Sequence, residues 1–468
     1  MSLPHGLSLV FPWSVWECWW LAPLALVLDL WFGDPALPWR HPVCLVGKLL
    51  DLLERPARRF MLGAGPERER GRGRLAGALA LLTLIICTGF AVWAVVSLPI
   101  LGLLAAVYLA WAGLAMGSLL QTGQLVLERV EHAPEDGARE ALSWLVSRDT
   151  SAMDRPLMRK TLADTLSENL TDAFTAPFFW LLVGGPVALW CYKAVSTTDS
   201  MWGYMTKKWR WLGWAGARSD DVLAFVPARL AALSAGLVHV LFLVRQKLEA
   251  ECQAGRHGDA GALFKRWVLA RSMARSLGHY LSQNRARRPK DDTAHDTACG
   301  TGHGADDGMA CNAGHDTGHC SGHGAGFSAN HSAAHNTGRS ADKPQGCGSS
   351  LSATALAAAY LPGRWDGGWP GLAVVARQAA GMPSPNSGWS MTACAWLCGA
   401  RMAGPSVYFG KMVNKPWLGP SPQGEEHAVS LAVWDAPRLL ALCALLRQSA
   451  LYGGLALWLL ALVCLFIF

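Results

Sequence analysis

The chain is patterned by long apolar windows, not by strict alternation or short amphipathic turns. Windows with few charges fall at Leu75–Ser97, Leu98–Leu120, Val222–Val244 and Leu451–Phe468, with weaker ones at Glu17–Gly33 and Ala173–Val195. About 20 helical residues cross the roughly 30 Å hydrocarbon layer, so these windows predict roughly four to six membrane helices. The first apolar segment reads as a retained helix, because no Lys or Arg precedes Arg40 and no small-residue cleavage site follows. Two windows meet at Pro99 and predict a hairpin. In a third, Ala176-Pro177 and Gly184-Gly185-Pro186 interrupt the apolar run. Pro and Gly break a helix unless neighbours satisfy the freed backbone groups. A broken or re-entrant segment is expected there, returning Ser196–Asp221 to the face that carries Asp149 and Glu168.

Composition agrees with a lipid solvent: the 468 residues are 51% hydrophobic and only 16% charged. Trp, at 23 against 7 Tyr, suits the water–bilayer interface. The net charge of +7 is concentrated in Arg55, Arg58, Arg59, Arg68, Arg70, Arg72 and Arg74, and again from Arg245 to Lys290. Such segments face the cytoplasm by the positive-inside rule and meet anionic lipid headgroups, so no nucleic-acid partner is expected. The 13 Cys include no Cys-x-x-Cys pair and read as buried thiols, Cys394 and Cys398 standing one helical turn apart. Between residues 285 and 350 apolar periodicity gives way to Gly, Ala, Asp, Thr and Ser, with His295, His303, His315, His319, His323, His331 and His335. This predicts a disordered insertion between a membrane region at 1–284 and a C-terminal region at 351–468. Its imidazoles are either an inert linker's or a loose site for cobalt, nickel or zinc.

The polar stretch 121–172, cytoplasmic if Pro99 turns a hairpin, holds Ser147-Arg148-Asp149-Thr150-Ser151, Asp154, Glu168-Asn169 and Asp172. Asp164, Glu168 and Asp172 recur every four residues and share one helix face, either a solvated row or a site for Mg²⁺ and phosphate. Further on, Met382-Pro383-Ser384-Pro385-Asn386-Ser387 is a turn feeding an apolar helix, with Asn386 and Ser387 as candidate caps. Gly404-Pro405 through Gly410-Lys411 is not a P-loop, because Met412 stands where Ser or Thr would bind Mg²⁺.

Five blocks in order resemble the adenosylcobinamide-phosphate synthases, an integral-membrane family of cobalamin biosynthesis. They are Leu28-Asp29-Leu30 through Gly33-Asp34-Pro35 to His41-Pro42-Val43; Arg148-Asp149-Thr150-Ser151 with Glu168-Asn169 and Asp172; Thr198-Asp199-Ser200-Met201 with Gly203-Tyr204; Ser384-Pro385-Asn386; and Gly404-Pro405 through Tyr408-Phe409-Gly410 to Lys415-Pro416-Trp417-Leu418-Gly419. The chain departs from the family pattern at Ser196, Ser387 and Cys44. The resemblance implies an ATP- and Mg²⁺-dependent condensation of adenosylcobyric acid with (R)-1-aminopropan-2-ol, free or as its O-phosphate, giving adenosylcobinamide phosphate. On this reading Asp149, Glu168, Asp172 and Asp199 are catalytic candidates, with Glu168, Asp172 and Asp199 also the Mg²⁺ ligands. Arg148, Lys411 and Lys415 would contact phosphate or carboxylate, and Asn169 and Asn386 would position substrate. Asp34 and His41 would wall the site. The competing roles are membrane-interface anchoring for the two lysines and turn formation for Asp34 and His41.

The expected architecture is all-α, a polytopic helical bundle in the inner cell membrane with catalytic loops converging on its cytoplasmic face. Other cobalamin-assembly enzymes or a second copy of the chain are candidate partners. The rival reading is a transporter or sensor of cobalt or nickel, and a third is a scaffold. A transporter should bury ionisable residues in mid-span, whereas here almost all carboxylates are expected in loops or at segment ends.

Overall fold

The computed structural model describes residues 19–35, 41–63, 66–146, 148–253, 367–408, 411–420 and 433–467. The 285–350 insertion lies outside them. The chain divides after Phe242 into two units, and of the second the structure describes only residues 243–253.

Among the described residues, five helical stretches are long and apolar enough to cross a membrane: Arg68–Val96, Leu101–His132, Arg155–Trp202, Phe225–Leu248 and Ala436–Cys464. The first unit opens with α1 (Leu21–Phe32), α2 (Pro42–Leu62) and α3 (Pro66–Val96). Helices α4 (Leu101–Ala112), α5 (Met116–His132) and α6 (Glu135–Ser143) follow. On α3, Leu75, Leu79, Leu82, Ile86 and Phe90 are all more than half exposed while Leu84 and Val96 are fully buried. A helix that is apolar on both its inner and outer faces is stable only against hydrocarbon.

The hairpin at Pro99 forms, and α1 fixes its exit. Asp29, wholly buried in α1, accepts the N–H groups of Met116 (3.1 Å) and Gly117 (3.2 Å), capping the start of α5. Gly117 is required there, since a Cβ would stand 1.9 Å from the Asp29 carbonyl oxygen. Trp111 adds a hydrogen bond from Nε1 to the Gly33 carbonyl at 2.7 Å.

The centre of the unit is α7 (Arg155–Leu170), a π-helical turn at Thr171–Thr175, and α8 (Ala176–Trp202). Asp154 caps α7 by accepting the Leu157 N–H at 3.0 Å. Pro177 lies in the first turn of α8, where its missing N–H costs little, so no break forms there. The break comes at Gly184 (φ −147°, ψ 28°) and Gly185 (φ 63°, ψ −161°), ahead of Pro186. Beyond α8 the chain turns through α9 (Trp214–Leu223), which packs on α8 and α3, into α10 (Phe225–Gln253). The C-terminal part supplies α11 (Leu372–Ala379), α12 (Ser387–Cys398) and α13 (Ala436–Gln448). A second π turn, Ser449–Gly453, runs into α14 (Gly454–Ile467). Two nested antiparallel pairs join α12 to α13. Strand β1 (Met402–Ala403) pairs with β4 (Trp417–Leu418), and β2 (Ser406–Tyr408) with β3 (Lys411–Val413).

Two expectations are corrected. Carboxylates are not confined to loops and segment ends, because Asp29 and Asp164 are fully buried inside helices. Nor do Asp164, Glu168 and Asp172 form one solvated row. Asp164 is held by Arg148 Nη1 (2.9 Å), Lys160 Nζ (3.1 Å) and the Ala403 N–H (2.9 Å), joining α7 to the 148 loop and to β1. Ala403 adopts the left-handed region at φ 59°, unusual for a residue with a Cβ, and the Asp164 bond holds it there.

Asp164→Ala would leave two cations around an empty pocket. Removing one partner of such a buried network costs about 3–5 kcal/mol. Thermal unfolding of the detergent-solubilised protein should show a large drop in melting temperature; an unchanged transition would show that the network contributes nothing.

Candidate active site

Tyr192, Ser196 and Asp199 lie on one face of α8, spaced at helical intervals, with Lys193 adjacent. Asp172 sits in the π turn at the other end of the same membrane segment, where it interacts electrostatically with Glu168 and Lys193. The kink at Gly184–Gly185 and the return through α9 bring Asp199 and Asp220 to Asp172. Asp34, just past α1, and His41, at the start of α2, close the cluster from the N-terminal side, both interacting with Lys193. Lys193 is buried at 9% exposure and is shared by Asp29, Asp34 and Asp172.

The electrostatics follow from that crowding. Burial, reinforced by Asp172, Asp199 and Asp221, pushes the Asp220 carboxyl well above the usual carboxylate range. Its Oδ1 is buried with no hydrogen-bond partner among the described residues. His41 moves the other way: burial disfavours its cation, Lys193 adds to the effect, and Asp34 opposes it. Its Nδ1 accepts the Val43 N–H at 3.3 Å as the cap of α2, which assigns the proton of the neutral ring to Nε2.

A bracket from the 382–389 loop holds the end of α9. Ser384 Oγ donates to Asp221 Oδ1 (3.3 Å), and Asn386 Nδ2 donates to the Asp221 carbonyl (2.8 Å). Asn386 Oδ1 accepts from Arg229 Nη1 at 3.2 Å, and that guanidinium lies 4.5 Å from the centroid of Trp389. Asn386 therefore occupies the N-cap position of α12 without capping it, contrary to the sequence expectation. Its amide is committed to the neighbour of Asp220.

Of the sequence candidates, the structure gathers Asp34, His41, Glu168, Asp172 and Asp199 into one cluster. Asp149 is exposed, and its carboxylate accepts the Ser151 N–H (3.0 Å) and hydroxyl (2.7 Å), bonds that hold it below the usual range. Arg148 is on Asp164. Asn169 donates to the Thr165 carbonyl at 2.9 Å and leaves its Oδ1 buried without a partner among the described residues. Lys415 is 7% exposed, so it is no interface anchor. Lys411 opens β3, and its side chain lies outside the described residues. Sequence reasoning passed over Asp29, Tyr192, Lys193 and Asp220. Lys193 carried a readable signal: it is the one charge in the Ala173–Val195 window, and an ionisable group at membrane depth points to function.

Among the described residues no three His, Cys, Asp or Glu side chains are placed to hold a metal ion by themselves. Glu168, Asp172 and Asp199 are thus not a closed cage.

Fold and site together define a multi-pass helical membrane protein with a half-buried carboxylate cluster around one buried lysine. The CobD/Cbib protein family model matches residues 22–284 and 348–434, and the chain belongs to that family. It is 43% identical over 212 residues to the "Cobalamin biosynthesis protein CobD" of Pelobacter propionicus, covering 45% of this chain and 64% of that protein. The protein of the same name from Klebsiella pneumoniae is 36% identical over 223 residues, covering 47% of this chain and 68% of that one. The "Cobalamin biosynthesis protein CbiB" of Salmonella choleraesuis is 34% identical over 219 residues, covering 46% and 66%. The chain thus matches about two thirds of the length of these relatives. No solved structure matches it.

The raised Asp220 carboxyl gives a pH test. A carboxyl that keeps its proton in the fold, but would lose it unfolded near pH 4, lowers stability as pH rises from there through the folded value. Asp220→Asn fixes the neutral form. The variant should therefore gain melting temperature over the wild type at about pH 8 and much less at about pH 5. Equal gains, or none, at both would show that Asp220 is not held protonated.

Proposed function

We propose that this chain acts in cobalamin biosynthesis, joining adenosylcobyric acid to (R)-1-aminopropan-2-ol O-phosphate through an amide bond with ATP as co-substrate. The reading is supported chiefly by the family match over 22–284 and 348–434. The cluster of Asp172, Asp199 and Asp220 beside Lys193 supplies the groups that this chemistry needs. On this reading the site would open to the cytoplasmic face of the inner membrane, where nucleotide is available.

A propionate side chain is a poor electrophile. One of its oxygens would attack the γ-phosphorus of ATP, releasing ADP and leaving an acyl phosphate. The amine would then attack the acyl carbon, forming the C–N bond as phosphate departs. Lys193 suits the substrate carboxylate or its phosphate, being a buried cation with no hydrogen bond or ion pair of its own among the described residues. The departing phosphate would receive the proton that the ammonium must shed, and Asp220, which keeps its own proton, would donate a hydrogen bond to a substrate oxygen. His41, held neutral, would offer substrate its Nε2–H, which is buried without a partner among the described residues. Mg²⁺, held by Glu168 with Asp172 or Asp199, would neutralise phosphate charge. The bracket of Ser384, Asn386 and Arg229 keeps α9, and so Asp220, in register with α8.

The decisive assay supplies membranes containing the protein with adenosylcobyric acid, aminopropanol phosphate, ATP and Mg²⁺, and follows adenosylcobinamide phosphate by mass spectrometry. Product should require all four; its absence under every combination would turn attention to cobalt or nickel transport. Glu168→Gln should lower turnover about 100-fold or more while the protein stays folded and inserted. Near-normal turnover would remove Glu168 from the mechanism. Deleting Asp291–Ser340 should leave activity within a few-fold, and a large loss would give the insertion a part in the reaction.

A further inference from the structure

We propose that Arg70, Arg74 and Arg210, gathered on the indole of Trp211, form a binding site for the phosphate of an anionic membrane phospholipid. The cradle begins with two glycines. At Gly77 a Cβ would stand 2.0 Å from the Leu212 carbonyl oxygen, and at Gly73 one would stand 2.6 Å from the Trp211 Cβ. Only residues without a side chain let the turn between α8 and α9 lie directly on α3. That contact brings Trp211 up to Arg70 and Arg74, one helical turn apart. Their guanidinium carbons are 5.4 Å and 5.5 Å from the ring centroid, and that of Arg210 is at 4.4 Å. Arg74 also lies 4.7 Å from the centroid of Trp214.

Three like charges on one indole repel one another, and exposed cation–π contacts are too weak to hold them there unaided. Carboxylates relieve this strain elsewhere in the region, where Arg58 (3.1 Å) and Lys208 (2.9 Å) share Glu54. Arg70, Arg74 and Arg210 have no ion pair among the described residues, and Arg74 Nε is buried without an acceptor. Guanidiniums converging without a carboxylate are matched by an anion of several oxygens, and the planar fork of Arg fits phosphate in a bidentate way.

The position identifies the source of that phosphate. Arg70 and Arg74 stand at the start of the Arg68–Val96 membrane segment. From Leu75 onward the outward face of α3, round the helix from the arginines, turns apolar, with Leu75 51%, Leu79 52% and Leu82 54% exposed. An anionic phospholipid at this level would set its phosphate on the guanidiniums where the polar start of the segment gives way to that apolar surface. A soluble phosphate would make no use of that surface.

Native mass spectrometry of the full chain, released from mixed micelles of phosphatidylglycerol and phosphatidylcholine, tests this. The wild type should retain phosphatidylglycerol preferentially. Each of Arg70→Gln, Arg74→Gln and Arg210→Gln should lower retention about fivefold, the effect expected of one basic residue near an anionic surface. Arg59→Gln, in the same basic run but away from Trp211, should leave retention unchanged. Because Arg70 is exposed, Arg70→Gln keeps the test available should Arg74→Gln fail to fold. Equal retention of the two lipids, or a preference indifferent to these arginines, would overturn the proposal. So would displacement of the lipid by millimolar inorganic phosphate or ATP, which would make this a site for soluble phosphate.

Discussion

A charge taken out of water must find partners, and the pairing of Asp164 is the contact on which the rest of this bundle depends. Its carboxylate has no exposure and accepts from two cations and a backbone N–H. Those donors lie far apart in sequence: Arg148 precedes α7, Lys160 is one turn back along it, and Ala403 belongs to the strand after α12. One side chain thereby fixes α7 against the C-terminal part of the chain. Asp29 does the same at the other end, tying α1 to the start of α5 through two N–H groups. In both cases a buried acid is satisfied by groups that could not otherwise be buried.

Glu168, Asp172, Asp199 and Asp220 are not satisfied in that manner, and the contrast separates structural from functional carboxylates. Asp164 spends its oxygens on donors, whereas Asp220 keeps an oxygen without one and is surrounded mainly by its own kind. Such an arrangement is unfavourable for folding and persists because the helices around it are independently fixed. Strain of this kind is what a site that must bind a cation, a phosphate or a proton requires. The π turn at Thr171–Thr175 and the kink at Gly184–Gly185 belong to the same logic. Both are departures from regular helix that lie between groups which a straight helix would hold apart.

The helices were readable because lipid imposes a length and a composition that local sequence must show. The break at Gly184-Gly185-Pro186 was readable for the same reason; of the face expected to gather Asp149, Glu168 and Ser196–Asp221, the structure brings Asp199 and Asp220 to Asp172 and leaves Asp149 outside. The failures came where one local pattern permits opposite outcomes. Three acids spaced by four look alike whether they face water, a metal or an arginine, and only tertiary partners distinguish Asp164 from Asp172. Asn before an apolar helix looks like a cap, yet Asn386 turns its amide to Asp221 and Arg229. Asp149 looked catalytic in its Arg-Asp-Thr-Ser setting but closes its own turn with Ser151.

The burial of ionisable groups also changes what separates an enzyme from a transporter here. Sequence reading placed the carboxylates at segment ends and counted that against transport, but Asp29, Asp164 and Lys193 are buried within helices. Burial at depth therefore argues for neither. What does discriminate is the company these groups keep. A conducting path needs successive sites that release as readily as they bind. Here Lys193 lies among Asp29, Asp34 and Asp172, and Asp220 among Asp172, Asp199 and Asp221, the last held by the 382–389 loop. On the proposed reading, one cation fixed among such acids would hold two reactants against each other, as condensation requires and passage does not.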